Sequence, residues 1–147
     1  MVYLILHNIR SAYNVGSIFR TADAVGISKI YLGGYTPAPD SEKVAKTSLG
    51  AEKSLGWEKI GDTWRLVEKL KLEGVRIVAL EQSKASRDYL KLKPKFPLAV
   101  IVGNEVVGLS PDILKRCDSV WHLPMRGQKE SLNVSVAVGV FLYSILK

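Results

Sequence analysis

The chain has 147 residues, 47% of them hydrophobic, with 21 lysines and arginines against 14 aspartates and glutamates and a formal net charge of +7. That length and apolar content give one domain with a single sizeable core and exclude a disordered chain. The positive excess points to a polyanionic partner, and the lone cysteine, Cys117, excludes an internal disulfide and favours a reducing compartment.

The opening "MVYLILHNIR" carries an apolar run too short for a signal-peptide core and has no basic segment before it. No run approaches membrane-spanning length, so a soluble cytoplasmic protein is expected. Within that opening, "VYLIL" (2–6) reads as a first strand. "VGSIFRTADAV" then reads as a helix, with Ile18, Ala22 and Val25 on one face and Gly26 as its stop. "KIYLG" (29–33) is a second strand. Residues 34–58 open with Pro37 and Pro39 and read as a long connection containing a short helix around "EKVAKTSLGAE". "DTWRLVEKLKLEG" is helical, with Asp62 as cap, Trp64, Val67 and Leu70 to Leu72 inward, and Gly74 as stop. Two further strands, "VRIVAL" (75–80) and "LAVIV" (98–102), precede a helix in "SPDILKRC", capped by Ser110 with Pro111 at its first position and Cys117, read as structural, at its end. "SVWHL" (119–123) is the last strand, and an apolar helix starting at Ser131 closes the chain. Strands of this β-branched content alternating with helices give an α/β fold, with a mostly parallel sheet and helices on both faces.

Three stretches carry residues that the fold alone does not need. In "NIRSAYNVGSIFR", Asn14 is placed to cap a helix, Gly16 leaves room for another chain or a ligand, and Arg20 points outward opposite Ile18 and Ala22. The alternative is a surface arginine paired with Asp23. In "LAVIVGNEVVGLSP", a buried strand runs into Gly103, Asn104, Glu105 and Gly108, at the kind of strand end where open α/β sheets bind ligands. Glu105 is either a functional acid or a solvated loop carboxylate. In the third stretch, Leu123, Pro124, Met125, Arg126 and Gly127 lead to Ser131, Leu132 and Asn133. Ser131 fits an N-cap, whereas Asn133 falls within the first turn, with Val134, Ala137, Val138 and Phe141 facing the core. The alternative is a polar helix start in contact with water. The dinucleotide fingerprint G-x-G-x-x-G does not occur, which argues against a nucleotide-dependent oxidoreductase.

"NxGxxxR", "VGNExxGLS" and "LPMxGxxxSLNVSVA", in that order and nearly end to end, resemble the three motifs of the SpoU/TrmH branch of the SPOUT superfamily, the RNA ribose 2′-O-methyltransferases. The resemblance implies one SpoU-type domain over 1–147, a deep C-terminal trefoil knot over roughly 75–147, and a homodimer. It implies S-adenosylmethionine as cofactor, held mostly by backbone groups at Leu80, Glu81 and Gln82, at Gly103, and at Leu123, Met125, Ser131 and Leu132. No metal is expected, since His7 and His122 are the only histidines and metal-ligand spacings are missing. Arg20 corresponds to the arginine often assigned as the family's base. Because an arginine side chain is effectively never neutral, its expected role is to hold the phosphate beside the reacting ribose. Asn14, Glu105, Ser131 and Asn133 would order Arg20 and the ribose. The implied substrate is RNA, tRNA ahead of rRNA. With no separate RNA-binding domain in the sequence, Arg10, Lys46, Lys53, Arg126 and Lys129 are the candidate grips. The competing expectation is a catalytically inactive RNA-binding or assembly module of the same fold.

Overall fold

Period-two alternation in the apolar runs sorts side chains to opposite faces of one sheet. The computed structural model describes residues 1–146. Its elements in chain order are β1 (Val2–His7), α1 (Ala12–Val25), β2 (Lys29–Gly33), α2 (Glu42–Ser48), α3 (Ala51–Ser54), β3 (Gly56–Ile60), α4 (Thr63–Leu72), β4 (Arg76–Leu80), β5 (Arg87–Asp88), a 3₁₀ turn at Tyr89–Lys91, β6 (Leu98–Val102), α5 (Pro111–Arg116), β7 (Ser119–His122) and α6 (Val134–Ile145). The seven strands form one sheet in the order β3-β2-β1-β6-β4-β7-β5. Every neighbouring pair is parallel.

Leu4 and Leu6 of β1 pack with Ile18 and Phe19 of α1 and Phe141 of α6 in one cluster. Ile5, between them in sequence, packs with Val67 of α4 and Ile113 of α5 in the other. Helices therefore cover both faces, as the strand composition required. At roughly 25 cal/mol per Å² of apolar surface, these two clusters supply the dominant stabilising term.

Several local expectations are corrected. The cap of α1 is Ser11, whose Oγ accepts the Asn14 N–H at 3.1 Å; Asn14 itself lies inside the first turn. Gly16 makes room for α2 of the same chain, since a Cβ there would lie 2.3 Å from the Val44 carbonyl oxygen. On α4, Leu66, Val67 and Leu70 are buried, but Leu72 is 89% exposed. Trp64 also lies partly outside, with the Arg65 and Arg116 guanidinium groups each 5.2 Å from its ring centroid. A stripe set by 3.6-residue periodicity is too narrow to take both. α6 begins at Val134 and is capped by Asn133, not Ser131. β3 and β5 are additional strands: β3 is a half-exposed edge, and β5 has only two residues.

In register, Leu6 of β1 lies beside Val102 of β6, and Ala79 of β4 beside Ile101. The carboxyl ends of β1, β6 and β4 are thus level, and the loops leaving them open on one edge of the sheet.

Candidate active site

The fully buried β6 delivers Gly103 to that edge. A tight turn follows, in which the Gly108 N–H donates to the Asn104 carbonyl at 2.9 Å. Asn104 Oδ1 stabilises the turn from inside by accepting the Val106 and Val107 N–H groups at 2.8 and 2.9 Å. Both glycines are required by space. A Cβ on Gly103 would lie 2.8 Å from the Gly108 carbonyl carbon, and Gly108, at φ +69°, backs directly onto the Glu81 carboxylate. Glu81, at the end of β4, accepts the Leu109 N–H and so ties the β4 loop to the β6 loop. Burial pushes the Glu81 carboxyl above its usual range, partly offset by the Leu109 and Gln82 N–H groups. Gln82 Nε2 donates to the Leu123 carbonyl at 3.0 Å, linking the loop after β7 to the same assembly.

These three loops and the start of α6 enclose a cleft. All eight residues expected at a cofactor, Leu80, Glu81, Gln82, Gly103, Leu123, Met125, Ser131 and Leu132, line it. Val102, Val134 and Ala137 complete its apolar walls, and Asn104 and His122 add polar groups. The sequence reading counted none of these five among the cofactor positions; it turned Val134 and Ala137 toward the core and placed Asn104 in the strand-end loop without a role of its own. Asn104 had a signal in its place beside two glycines after a buried strand; His122 had one as the polar residue near the end of the last strand run.

At the rim, a hydrogen-bonded chain joins three of the five residues expected to be catalytic. Glu105 Oε1 accepts the Arg10 N–H at 2.9 Å and Oε2 accepts the Ser11 N–H at 3.0 Å. The same Oε2 accepts Asn14 Nδ2 at 3.2 Å, and Asn14 Oδ1 in turn accepts Asn133 Nδ2 at 3.1 Å. Asn133 Oδ1 caps α6 through the Ser135 N–H at 2.9 Å. Glu105 is therefore no free loop carboxylate. Partial burial raises its pKa, but the Arg10 and Ser11 N–H groups and the Asn14 amide outweigh that and hold it below the usual carboxylate range. A charge fixed by three donors is a rigid anchor, and it orients Asn14 and Asn133 without consuming their remaining hydrogen-bonding capacity.

Ser131 lines the cleft, but Arg20 does not. Arg20 lies exposed on α1 in a separate shallow groove with Lys46, Thr47 and Tyr143. It forms no hydrogen bond or ion pair among the described residues, and Asp23, its alternative partner, instead accepts from Ser54 Oγ at 3.0 Å.

A cleft with apolar walls, whose charged lining side chains are Glu81 and Glu105, fits a nucleoside-like ligand bearing a positive charge. Comparison with known proteins points the same way. The SpoU rRNA Methylase family model matches residues 1–143. The Bacillus subtilis (strain 168) protein YacO, assigned to the TrmH family of tRNA/rRNA methyltransferases, is 34% identical over 145 residues, 99% of this chain and 58% of its own length. The AdoMet-bound structure of an rRNA methyltransferase from Sinorhizobium meliloti superposes with a TM-score of 0.91 at 29% identity, over 97% of this chain and 54% of that one. The structure of an RNA 2′-O ribose methyltransferase gives a TM-score of 0.87 at 28% identity, over 97% of this chain and 54% of that one. The chain thus spans little more than half the length of these relatives. With the match running through all three motif-bearing loops and the cleft they build, the chain belongs to the SpoU/TrmH family of RNA methyltransferases.

Proposed function

We propose that this chain carries the catalytic unit of an S-adenosylmethionine-dependent RNA ribose 2′-O-methyltransferase acting on tRNA or rRNA. The observation that carries the reading is the joining of the cofactor-type cleft to the Glu105–Asn14–Asn133 chain at its rim. S-adenosylmethionine, when bound, supplies a methyl group on a sulfonium centre for transfer to a ribose hydroxyl. Gly103, Leu123, Met125 and Leu132 hold it and keep water out, mainly through backbone groups and apolar contact. Asn14 and Asn133, anchored by Glu105, orient the ribose, so that much of the acceleration comes from positioning. Ser131 closes the cofactor loop at the reacting edge. Arg20 grips the phosphate next to the reacting ribose and stabilises the developing alkoxide, and a phosphate oxygen or water takes the proton. As proposed, no step requires a metal.

Arg20 serves this role from a second copy of the chain. The outer face of α6 supports that arrangement: Val136 is 51% exposed, Val140 42% and Tyr143 57%, an apolar strip beside the Arg20 groove, and Tyr13 continues it on α1. Such a strip suits a self-complementary interface. The reading includes the family's trefoil threading over roughly residues 75–147, of which 147 lies outside the described residues; family membership supports it. No described helix is long and apolar enough to cross a membrane, and the basic surface suits RNA.

The test incubates the protein with methyl-labelled S-adenosylmethionine and, separately, unmodified tRNA and rRNA, then hydrolyses the RNA with alkali. Label retained in alkali-resistant dinucleotides is expected, because a methylated 2′-oxygen cannot attack its own phosphodiester. Label confined to bases would overturn the ribose assignment. Binding of RNA with no transfer would leave an inactive module.

A further inference from the structure

We infer that Tyr35 is a stacking platform for an unpaired nucleobase of the substrate RNA, pinned beside the reacting edge by the buried Asn104 amide. The inference rests on the RNA methyltransferase reading and adds to it a base-binding subsite.

Tyr35 follows β2, on the edge of the sheet where the cleft opens. Tyr35 is 56% exposed, yet its segment is tied down by several hydrogen bonds. The Tyr35 N–H donates to Asn8 Oδ1 at 3.1 Å. The next residue, Thr36, is fully buried, and its hydroxyl accepts the Ile9 N–H at 3.1 Å while facing the Leu6 and Gly33 carbonyl oxygens at 3.1 and 2.8 Å. Lys59 Nζ donates to the Thr36 carbonyl, placing a cation beside the loop. The phenol oxygen is held as well, accepting from Asn104 Nδ2 at 2.7 Å; the same amide donates to the Asn8 carbonyl at 3.0 Å.

Asn104 is 93% buried by its 7% relative exposure, and it both lines the cleft and directly precedes Glu105. One buried amide therefore connects the Tyr35 ring to the loop that anchors Asn14 and Asn133. An aromatic needed only for packing would bury its ring. Here the hydroxyl end and the backbone are fixed and a broad ring face is left to solvent. That arrangement loses little conformational freedom when a flat ligand stacks on it. Sequence-specific RNA recognition works largely on unpaired bases stacked on aromatic side chains. Lys59, on the Thr36 carbonyl, brings to the subsite the positive charge a nucleotide's phosphate requires. Val106 and Val107, in the turn held by the same Asn104, are exposed as well.

The test measures affinity of the full chain for two probes at fixed ionic strength, a single-stranded RNA decamer and a blunt RNA duplex with the same number of phosphates. It compares wild type with Tyr35→Ala and Tyr35→Trp, and records S-adenosylmethionine affinity and Tm for each. With one base stack removed, Tyr35→Ala should weaken decamer binding roughly tenfold and raise the KM for RNA. Duplex and cofactor affinities should hold, and Tyr35→Trp should restore the decamer in part, since the indole keeps a stacking face but cannot accept from Asn104. Unchanged decamer binding by Tyr35→Ala overturns the inference while the methyltransferase reading stands. Equal losses on both probes with a lowered Tm also overturn it, leaving Tyr35 a structural prop. A wild type that binds neither probe overturns it too; only if that wild type also fails to label tRNA and rRNA does the functional reading fall with it.

Discussion

The cofactor-type cleft and the Arg20 groove differ in how far one chain completes them. In the cleft, each loop is tied to the next: Glu81 to Leu109, Gln82 to Leu123, and Glu105 through Asn14 to Asn133. In the groove, Arg20 stands exposed with no bonded partner among the described residues, beside an uncovered apolar strip on α6. A site built to bind a small ligand must be rigid before the ligand arrives, because ordering it afterwards would subtract from affinity. A group that acts only on an incoming phosphate needs no such internal partner, and an internal ion pair would compete with its substrate.

The largest effect expected from breaking this contrast is at Arg20. Arg20→Ala should lower methyl transfer by ~100-fold or more while leaving S-adenosylmethionine affinity near wild type, as read by steady-state rates alongside calorimetry. Arg20→Lys keeps the charge but loses the planar fork, and near-wild-type turnover in that variant would show that a point charge suffices. In the cleft the order reverses. Gly103→Ala forces a side chain against Gly108 and Leu109 and should weaken cofactor binding first, with a stability loss of about 1–3 kcal/mol seen in thermal melts.

A smaller effect, and one confined to acid, should separate the two regions by pH. The folded-state pKa of Glu105 lies below the usual carboxylate range, so its contribution to stability is present above that range and is lost as pH falls through the depressed value. Glu105→Gln should flatten the acid arm of a stability-against-pH curve, whereas Arg20→Ala should leave that arm unchanged. The smallest effect lies far from both sites. Burial, with Asp118 nearby, pushes the Cys117 thiol up to about 11. Thiol reagents at neutral pH should therefore modify the native protein much more slowly than the unfolded chain, and alkali approaching that value should speed the reaction.

Much of this was legible in the residue order. "KIYLG" and "LAVIV" became β2 and β6 without a residue's change, because runs of apolar and β-branched residues bounded by glycine or proline leave few choices. Ser110 and Pro111 opened α5, and Gly26 closed α1 in the left-handed conformation, since both devices act within one turn of chain. The eight residues expected to form the cofactor loops met in one cleft because each sits at or just beyond the carboxyl end of a strand or just before α6, places that the motif spacing marks.

What the sequence left open was decided by contacts between distant segments or by competition between close ones. Ser11 took the α1 cap from Asn14, three residues away, and Asn133 took the α6 cap from Ser131, two away; local propensity ranks such neighbours almost equally. The winners were set by the long-range partners, since Asn14 is held by Glu105 across 91 residues and Asn133 by Asn14 across 119. Strand β3, half exposed at the sheet edge, gave no apolar alternation to read, and its place comes from pairing with β2. Composition and periodicity thus determined which segments form strands and helices, because those preferences are local and repeat along the chain. Which polar group completes which site was settled only in three dimensions, because a buried donor or acceptor must find a partner and the partner is chosen by the packing of the whole sheet.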